Sequence, residues 1–219
     1  MKVMIIGAGG HARVVYEILY YDKNIEVVAF VDNVTRGTDE KIMGVPVIGD
    51  HSVIDKLRKN GVNSAIIGVG DNDIRVAHFL KLKDMGLEFV KAIHPTVHMS
   101  DHAKIGEGTV IVTAAIISAG VEIGKNAIIN TGAIIEHEDI VEDHVHIASG
   151  VVLAGRVTVC EKAFIGAGSI VKENVTIGRN ATIGAGSIVL NDIPENTVAV
   201  GVPAKVIKMK EEKDCGGFK

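Results

Sequence analysis

An aliphatic residue recurs at every sixth position from Ile105 to Val189. The register runs through Ile111, Ile117, Ile123, Ile129, Ile135, Val141, Ile147, Leu153, Val159, Ile165, Val171, Ile177 and Ile183, and it never fails. Four residues after most of these stands a small or β-branched residue, such as Thr109, Ala115, Ala133, Val157 or Ser187. A period of six matches neither the turn of a helix nor the two-residue alternation of a strand. It matches a short strand followed by a corner. Glycine often follows the aliphatic residue, at Gly106, Gly124, Gly166, Gly178 and Gly184, where a corner with positive φ is expected. Such a chain is predicted to form a parallel β-helix, because one coil cannot bury its own apolar edge and must stack on its neighbours. With three six-residue faces per coil, residues 18 apart lie directly above one another and the aliphatic side chains fill the interior.

The repeat resembles that of the hexapeptide-repeat acyltransferases. The resemblance implies a left-handed β-helix and a homotrimer; periodicity gives neither, and ordinary crossover connections favour the right-handed choice.

Composition narrows the function classes. Aromatic residues are 4% and Trp is absent, which suits a narrow solenoid filled with Ile and Val. A net charge of −4 leaves no basic stripe for a polyanion, so nucleic acid is not the expected partner. Cys160 and Cys215 form neither a CxxC nor a disulfide-rich pattern. The first apolar run, Lys2 to Gly10, is too short to span a bilayer and enters a glycine turn, so it reads as a strand, with no membrane insertion and a cytoplasmic location expected.

The N-terminal part alternates strand and helix. Val3 to Ile6 is an apolar run, followed by Gly7-Ala8-Gly9-Gly10-His11-Ala12 and a helical pattern through Val14, Val15, Ile18 and Leu19. A second run, Val27 to Val31, ends at Asp32-Asn33. Strand, glycine turn, helix and strand closed by an acid make the start of a doubly wound, Rossmann-like α/β unit, whose turn offers backbone amides and a helix N-terminus to a phosphate or polar ligand. The plainer reading is that Gly7, Gly9 and Gly10 let strand and helix pack closely. Further strands are expected at Val45 to Ile48, Ala65 to Val69 and Leu87 to Ile93, with helices at Ser52 to Lys59 and Ile74 to Met85. The loops near Gly9, Asp32 and Gly70 should gather at one edge of a parallel sheet.

The joint between the two parts falls near His94-Pro95. His94, His98 and His102 are four apart, a spacing that aligns metal ligands on a helix; Pro95 and the six-residue register argue against a helix, and solvated histidines on coil corners are expected. Beyond Val189 the register ends, and Val198 to Val206 should cap the open end of the solenoid.

One stretch of the repeat turns polar: Glu136-His137-Glu138-Asp139, and then Glu142, Asp143, His144 and His146. Asp139 occupies a position that is small or β-branched elsewhere. A solvated face is the plain alternative, but three histidines beside five acids in an otherwise bland repeat make this the candidate active site. Acyl transfer from a thioester needs a base, and an imidazole with a carboxylate neighbour is suited to it. His137 and Glu138 form such a pair only if His137 lies at or near a corner, because adjacent residues of a flat strand point to opposite sides.

The glycine turn, the strand ending Val-Asp-Asn, the segment Gly70-Asp71-Asn72-Asp73-Ile74-Arg75, the motif Ile135-Glu136-His137-Glu138 and the ending Gly201-Val202-Pro203-Ala204-Lys205 together resemble the bacterial hexapeptide-repeat sugar acetyltransferases. That family joins nucleotide-amino-sugar N-acetyltransferases of the bacillosamine and perosamine type to sialic acid O-acetyltransferase relatives. The resemblance implies a nucleotide-sugar-binding domain over 1–93, an acetyltransferase β-helix with its cap over 94–207, and a charged tail over 208–219. It implies His137 as general base tuned by Glu138, a nucleotide sugar held by Gly9, Gly10, His11, Asp32, Asn33 and Gly70, and acetyl-CoA held at His146, Ala167 and Ala185. Relatives commonly carry Asp-Asp where this chain has Asp32-Asn33, and some carry Ser at Gly9, departures that bear on nucleotide choice. From His137 to Ala167 is 30 residues, five hexads and not a whole number of coils. Base and CoA track then lie on different faces of one subunit, and a neighbouring subunit must bring them together.

The leading expectation is transfer of acetyl from acetyl-CoA to the amine of a nucleotide-linked deoxyamino sugar, by direct attack and without a metal. O-acetylation of a sialic acid or related sugar is the alternative within enzymes. A non-catalytic sugar-binding scaffold is the alternative of another class, and it gives the polar stretch no purpose. A zinc hydratase needs gathered histidines, usually with a pair five apart, a spacing absent here; NAD chemistry lacks evident hydride-transfer partners. Cys160 reads as structural, having no flanking base.

Overall fold

The computed structural model describes residues 1–32 and 40–210. Asn33 and most of the charged tail, with Cys215, lie outside the described residues. The chain divides into two compact units, Met1–Pro95 and Thr96–Lys219.

In the first unit, β1 (Lys2–Ile6) pairs in parallel with β2 (Glu26–Val31) on one side and β5 (Ser64–Ile67) on the other. Two short strands, β3 (Lys41–Ile42) and β4 (Val45–Ile48), and β6 (Glu88–Phe89) complete a six-stranded sheet of order β3-β4-β2-β1-β5-β6, antiparallel only between β3 and β4. Val3 to Ile6 are all buried, as a central strand covered on both faces requires. Helix α1 (Gly10–Tyr20) packs on β1 and β2, while α2 (Ile54–Lys59) and α3 (Asn72–Asp84) bring Ile54, Phe79 and Leu82 against Met4 and Ile6. Strand order reverses at β1, so the loops after β1, β2 and β5 meet at one sheet edge.

Two elements differ from expectation. The helix expected from Ser52 begins as a 3₁₀ turn, His51–Val53, because Asp50 accepts the Ser52 N–H at 2.8 Å and tightens the entry. The strand expected over Leu87 to Ile93 is broken into Glu88–Phe89 and Ala92–Ile93; after the Val90 N–H bonds Ala65 O the chain leaves the edge of β5.

The second unit is the β-helix, with an 18-residue coil. One face stacks Val110–Ile111, Ile128–Ile129, His146–Ile147, Phe164–Ile165 and Thr182–Ile183. The second stacks His98–Met99, Ile116–Ile117, Ile134–Ile135, Val152–Leu153, Ile170–Val171 and Ile188–Val189. The third stacks Lys104–Ile105, Glu122–Ile123, Ile140–Val141, Thr158–Val159 and Thr176–Ile177. The aliphatic register and the position four residues on both point inward; Ile111, Ile117, Ala127, Ala133, Val157 and Ile165 are fully buried.

The corners correct one expectation. Positive φ occurs three residues after every aliphatic but the last, Val189, at Ala114, Asn126, Glu138, His144, Arg156, Lys162, Asn174 and Asn180 as well as at Gly108, Gly120, Gly132, Gly150, Gly168 and Gly186. The glycines that directly follow the aliphatics have no such φ. They are there because the next coil passes too close for a side chain: a Cβ on Gly106 would sit 2.5 Å from the Gly124 carbonyl, and one on Gly166 2.5 Å from the Ala185 nitrogen.

At the far end Thr197–Gly201 adds in parallel to Thr182–Ile183, and Ala204–Met209 folds back on it as an antiparallel strand. Lys210 Nζ fastens this hairpin to Asn180, at 2.8 Å from its carbonyl oxygen and 2.7 Å from its side-chain oxygen.

Candidate active site

His137 lies in the corner after Ile134–Ile135, where the second face turns into the third. Glu138 takes the left-handed conformation, φ 61°, and this swings its carboxylate to the same side as the imidazole. Nδ1 of His137 stands 3.3 Å from Glu138 Oε2. The geometric demand made by the sequence is therefore met by the corner. A carboxylate only accepts, so Nδ1 carries the proton and Nε2 presents its lone pair. The bond from His137, together with the Arg156 guanidinium at 2.8 Å, holds the Glu138 carboxyl below its usual range. Both side chains are about half exposed.

The coil above completes the site through residues 18 further on. Gly155 stacks over His137, and a Cβ there would lie 2.9 Å from Nε2, so only glycine leaves room for the ring. Arg156 stacks over Glu138 and pairs with it. Val157 stacks over Asp139 and donates its N–H to Asp139 Oδ1 at 2.7 Å. Gly155, Arg156 and Val157 were missed in the sequence, although the 18-residue register points to all three.

The remaining charged residues of the polar stretch serve the solenoid. Asp143 Oδ1 accepts the Lys125 N–H at 2.6 Å, Glu142 accepts the Glu161 N–H at 2.8 Å, and His144 Nδ1 meets Asn126 Nδ2 at 2.9 Å in a buried corner ladder. For these three the plain structural reading holds: each is bonded into a corner, with Glu142 exposed, Asp143 half-buried and His144 buried. His146 sits on the first face, largely buried, its ring edge-on to Phe164. Ala167 and Ala185 fall in corners between the first and second faces, the opposite edge of the second face from His137. Cys160 is partly buried, and burial with the Glu142 and Glu195 charges pushes its thiol up, away from a reactive thiolate.

In the first unit, Gly9 and Gly10 face open space: an added Cβ would meet nothing within 4 Å at either. Close packing is the work of other glycines. Gly68, at the end of β5, lies so near α1 that a Cβ would fall 2.6 Å from Ala12 Cα, and Gly7 has φ 98°. Gly9 and Gly10 instead leave the N-terminus of α1 bare, next to His11. Asp32 Oδ2 accepts the Ala8 N–H at 2.7 Å and so ties the glycine turn to the end of β2. Arg75, fully buried and pushed down to about 9 by that burial, bonds Gly70 O at 3.1 Å and Asn72 Oδ1 at 2.8 Å, fixing the loop after β5. His78 Nδ1 and His51 Nε2 meet at 3.0 Å near the same edge, and burial holds His78 down at about 4. The sequence had not singled out either histidine.

Of the three histidines spaced by four, His98 and His102 are exposed, whereas His94 is packed edge-on against Tyr21 and is no solvated corner. Among the described residues no three His, Cys, Asp or Glu side chains are grouped to hold a metal ion.

Residues 2–82 match the PglD N-terminal domain family, and residues 156–191 match the bacterial transferase hexapeptide repeats. PerB from Caulobacter crescentus, solved in complex with CoA and GDP-perosamine, superimposes with a TM-score of 0.89 at 39% identity, over 95% of this chain and 98% of that one. The chain belongs to the bacterial hexapeptide-repeat sugar acetyltransferases. Its β-helix is left-handed, as in that family. The acetyltransferase domain of PglB from Neisseria gonorrhoeae FA1090, in complex with acetyl coenzyme A, matches with a TM-score of 0.87 at 32% identity, over 94% of this chain and 98% of that one. The UDP-N-acetylbacillosamine N-acetyltransferase of Bacillus subtilis (strain 168) is 36% identical over 118 residues, and that alignment spans about half the length (51%) of each protein. The C. crescentus enzyme is also known as a histidine-to-alanine variant, again with CoA and GDP-perosamine.

In this acetyltransferase the inward residue of the site's own corner is a carboxyl. Burial raises Asp139 to about 7 from its ordinary 3.8. Folding therefore favours the protonated form. The penalty is absent below about 4, grows as pH rises, and is complete above about 7. Asp139→Asn should melt above wild type at pH 8 and approach it at pH 5; thermal melts of both proteins across this range check the sign.

Proposed function

We propose that this protein transfers the acetyl group of acetyl-CoA to the amine of a nucleotide-linked amino sugar, with His137 as general base. The observation that carries the proposal is the His137–Glu138 pair, set on an exposed corner with Nδ1 3.3 Å from the Glu138 carboxylate. The amine nitrogen attacks the thioester carbonyl, its proton passes to His137 Nε2, and the tetrahedral adduct expels the CoA thiolate. Glu138 stabilises the imidazolium that forms, and Arg156 keeps Glu138 ionised and in place. The likeness to enzymes holding CoA and GDP-perosamine supports both substrates, and the histidine-to-alanine variant of that relative, which still holds both ligands, is consistent with a histidine that is not needed for binding.

The nucleotide sugar is assigned to the first unit, at Gly9, Gly10, His11, Asp32, Asn33 and Gly70. The bare N-terminus of α1 suits a diphosphate. Acetyl-CoA is assigned to His146, Ala167 and Ala185. The assembly proposed is a homotrimer packed through the second face, whose outward residues Ile116, Ile134, Val152, Ile170 and Ile188 are all aliphatic. Ile116 and Ile170 are 37% and 44% exposed in the single chain, and the stripe is aliphatic from Ile116 onward, with His98 at its first position. With His137 on one edge of this face and the CoA residues on the other, each site is completed between two subunits. Use of acetyl-CoA and a nucleotide sugar points to the cytoplasm.

Calorimetry and thermal shifts with UDP, GDP, CMP and acetyl-CoA, each alone, test the reading. Binding of acetyl-CoA and of one nucleotide is expected. Acetyl-CoA alone would move the acceptor to a free sugar hydroxyl, and binding of neither would leave a scaffold.

A further inference from the structure

Three polar residues occupy the inward register below a corner they bond: Thr109, Asp139 and Ser169, all fully buried. Each reaches the corner of the next coil. Thr109 Oγ1 donates to Gly124 O at 2.7 Å and accepts from the Ala127 N–H at 3.1 Å, and Ser169 donates to Gly184 O at 3.0 Å. Asp139 alone brings a carboxyl. Its Oδ1 takes the Val157 N–H, while Oδ2 is buried without a hydrogen-bond partner among the described residues. A carboxyl so placed costs stability. The same column of the solenoid is filled by valine at Val121, Val157 and Val175.

Regular corners close on themselves: the N–H of Ala133 bonds Asn130 O, that of Ala163 bonds Cys160 O and that of Ala181 bonds Gly178 O, each at 3.1 Å. In the 154–157 corner the equivalent N–H goes to Asp139. The corner is opened, with two successive left-handed residues, Gly155 at φ 93° and Arg156 at φ 53°. It is also the corner that touches the candidate base and its carboxylate.

We infer that Asp139 is a positioning residue: by taking the Val157 N–H it holds the 154–157 corner open, so that Gly155 accommodates the His137 ring and Arg156 reaches Glu138. This rests on the role proposed for His137. Oδ1 suits the task because it accepts the Val157 N–H at 2.7 Å, an acceptor that the valines of this column lack.

The test uses the full chain and two variants. Asp139→Val installs the residue of the same column; it should fold and melt at or above the wild-type temperature, yet lose about tenfold to a hundredfold in kcat with little change in KM for acetyl-CoA, since displacing a reacting group by about 1 Å costs on the order of 10²-fold. Asp139→Asn keeps an acceptor oxygen and should retain kcat within about threefold. The ring resonances of His137, assigned by NMR against His137→Asn, should move in the valine variant and stay in the asparagine variant. Valine turnover within about twofold of wild type would overturn the inference, as would an asparagine variant as poor as the valine one. If the wild-type chain transfers no acetyl group, the functional reading fails by itself, and the NMR comparison still decides whether Asp139 sets the ring.

Discussion

His137→Ala should lower kcat by about 10²- to 10⁴-fold, the range general-base catalysis supplies, with acetyl-CoA affinity kept. The side chain is half exposed and its corner is fixed by backbone bonds from other residues, so the fold does not depend on it: the Glu138 N–H bonds Ala119 O, and the Arg156 N–H bonds His137 O, which alanine also provides. What alanine lacks is the nitrogen proposed to take the proton from the attacking amine. Initial-rate kinetics with a titration of acetyl-CoA separate the two effects. Turnover near wild type would remove His137 from the base role, and a parallel loss of acetyl-CoA binding would assign it to substrate holding.

Ile170→Glu should be equally damaging by another route. Ile170 lies within the aliphatic stripe on the second face, between Val152 and Ile188, and its backbone pairs with both neighbouring coils. In an isolated chain a glutamate there would be solvated and harmless. Between packed subunits it would be a desolvated charge without a partner, costing several kcal/mol, and it would occur once per subunit. The expected result is a folded monomer with activity reduced by more than about 10²-fold, because a monomer separates His137 from Ala167 and Ala185. Light scattering and circular dichroism read the assembly and the fold, and Thr176→Glu on the polar third face is the control that should change neither. A fully active Ile170→Glu monomer would place the whole site within one chain.

Much of the solenoid was legible because its signal is one of burial. A six-residue repeat with no failure admits one solution, stacked triangular coils, and side-chain alternation sets what points inward. The doubly wound opening was legible for the same reason, as buried strands alternating with amphipathic helices. The polar stretch also stood out, since Asp139 breaks a register in which every other position is small or branched. That pattern drew attention to His137 and Glu138 together with Glu142, Asp143 and His144, and it could not separate them.

The separation was made by corner geometry. Asp143 and His144 are bound into the edge between the third and first faces, while Glu138, in the left-handed conformation, turns toward His137 at the opposite edge. The glycines after the aliphatics suggest corners of positive φ, but the crowding that excludes a side chain comes from a coil 18 residues away and leaves no local mark. Gly155 shows the same limit. Its neighbours in sequence give it no special place, and its role arises from the imidazole packed under it. Sequence by itself determined the repeat, its inward register, the strand and helix order of the first unit and the candidate base. Tertiary structure decided which polar groups are held by backbone and which are left for chemistry, because hydrogen bonding between coils depends on distances that a one-dimensional period does not contain.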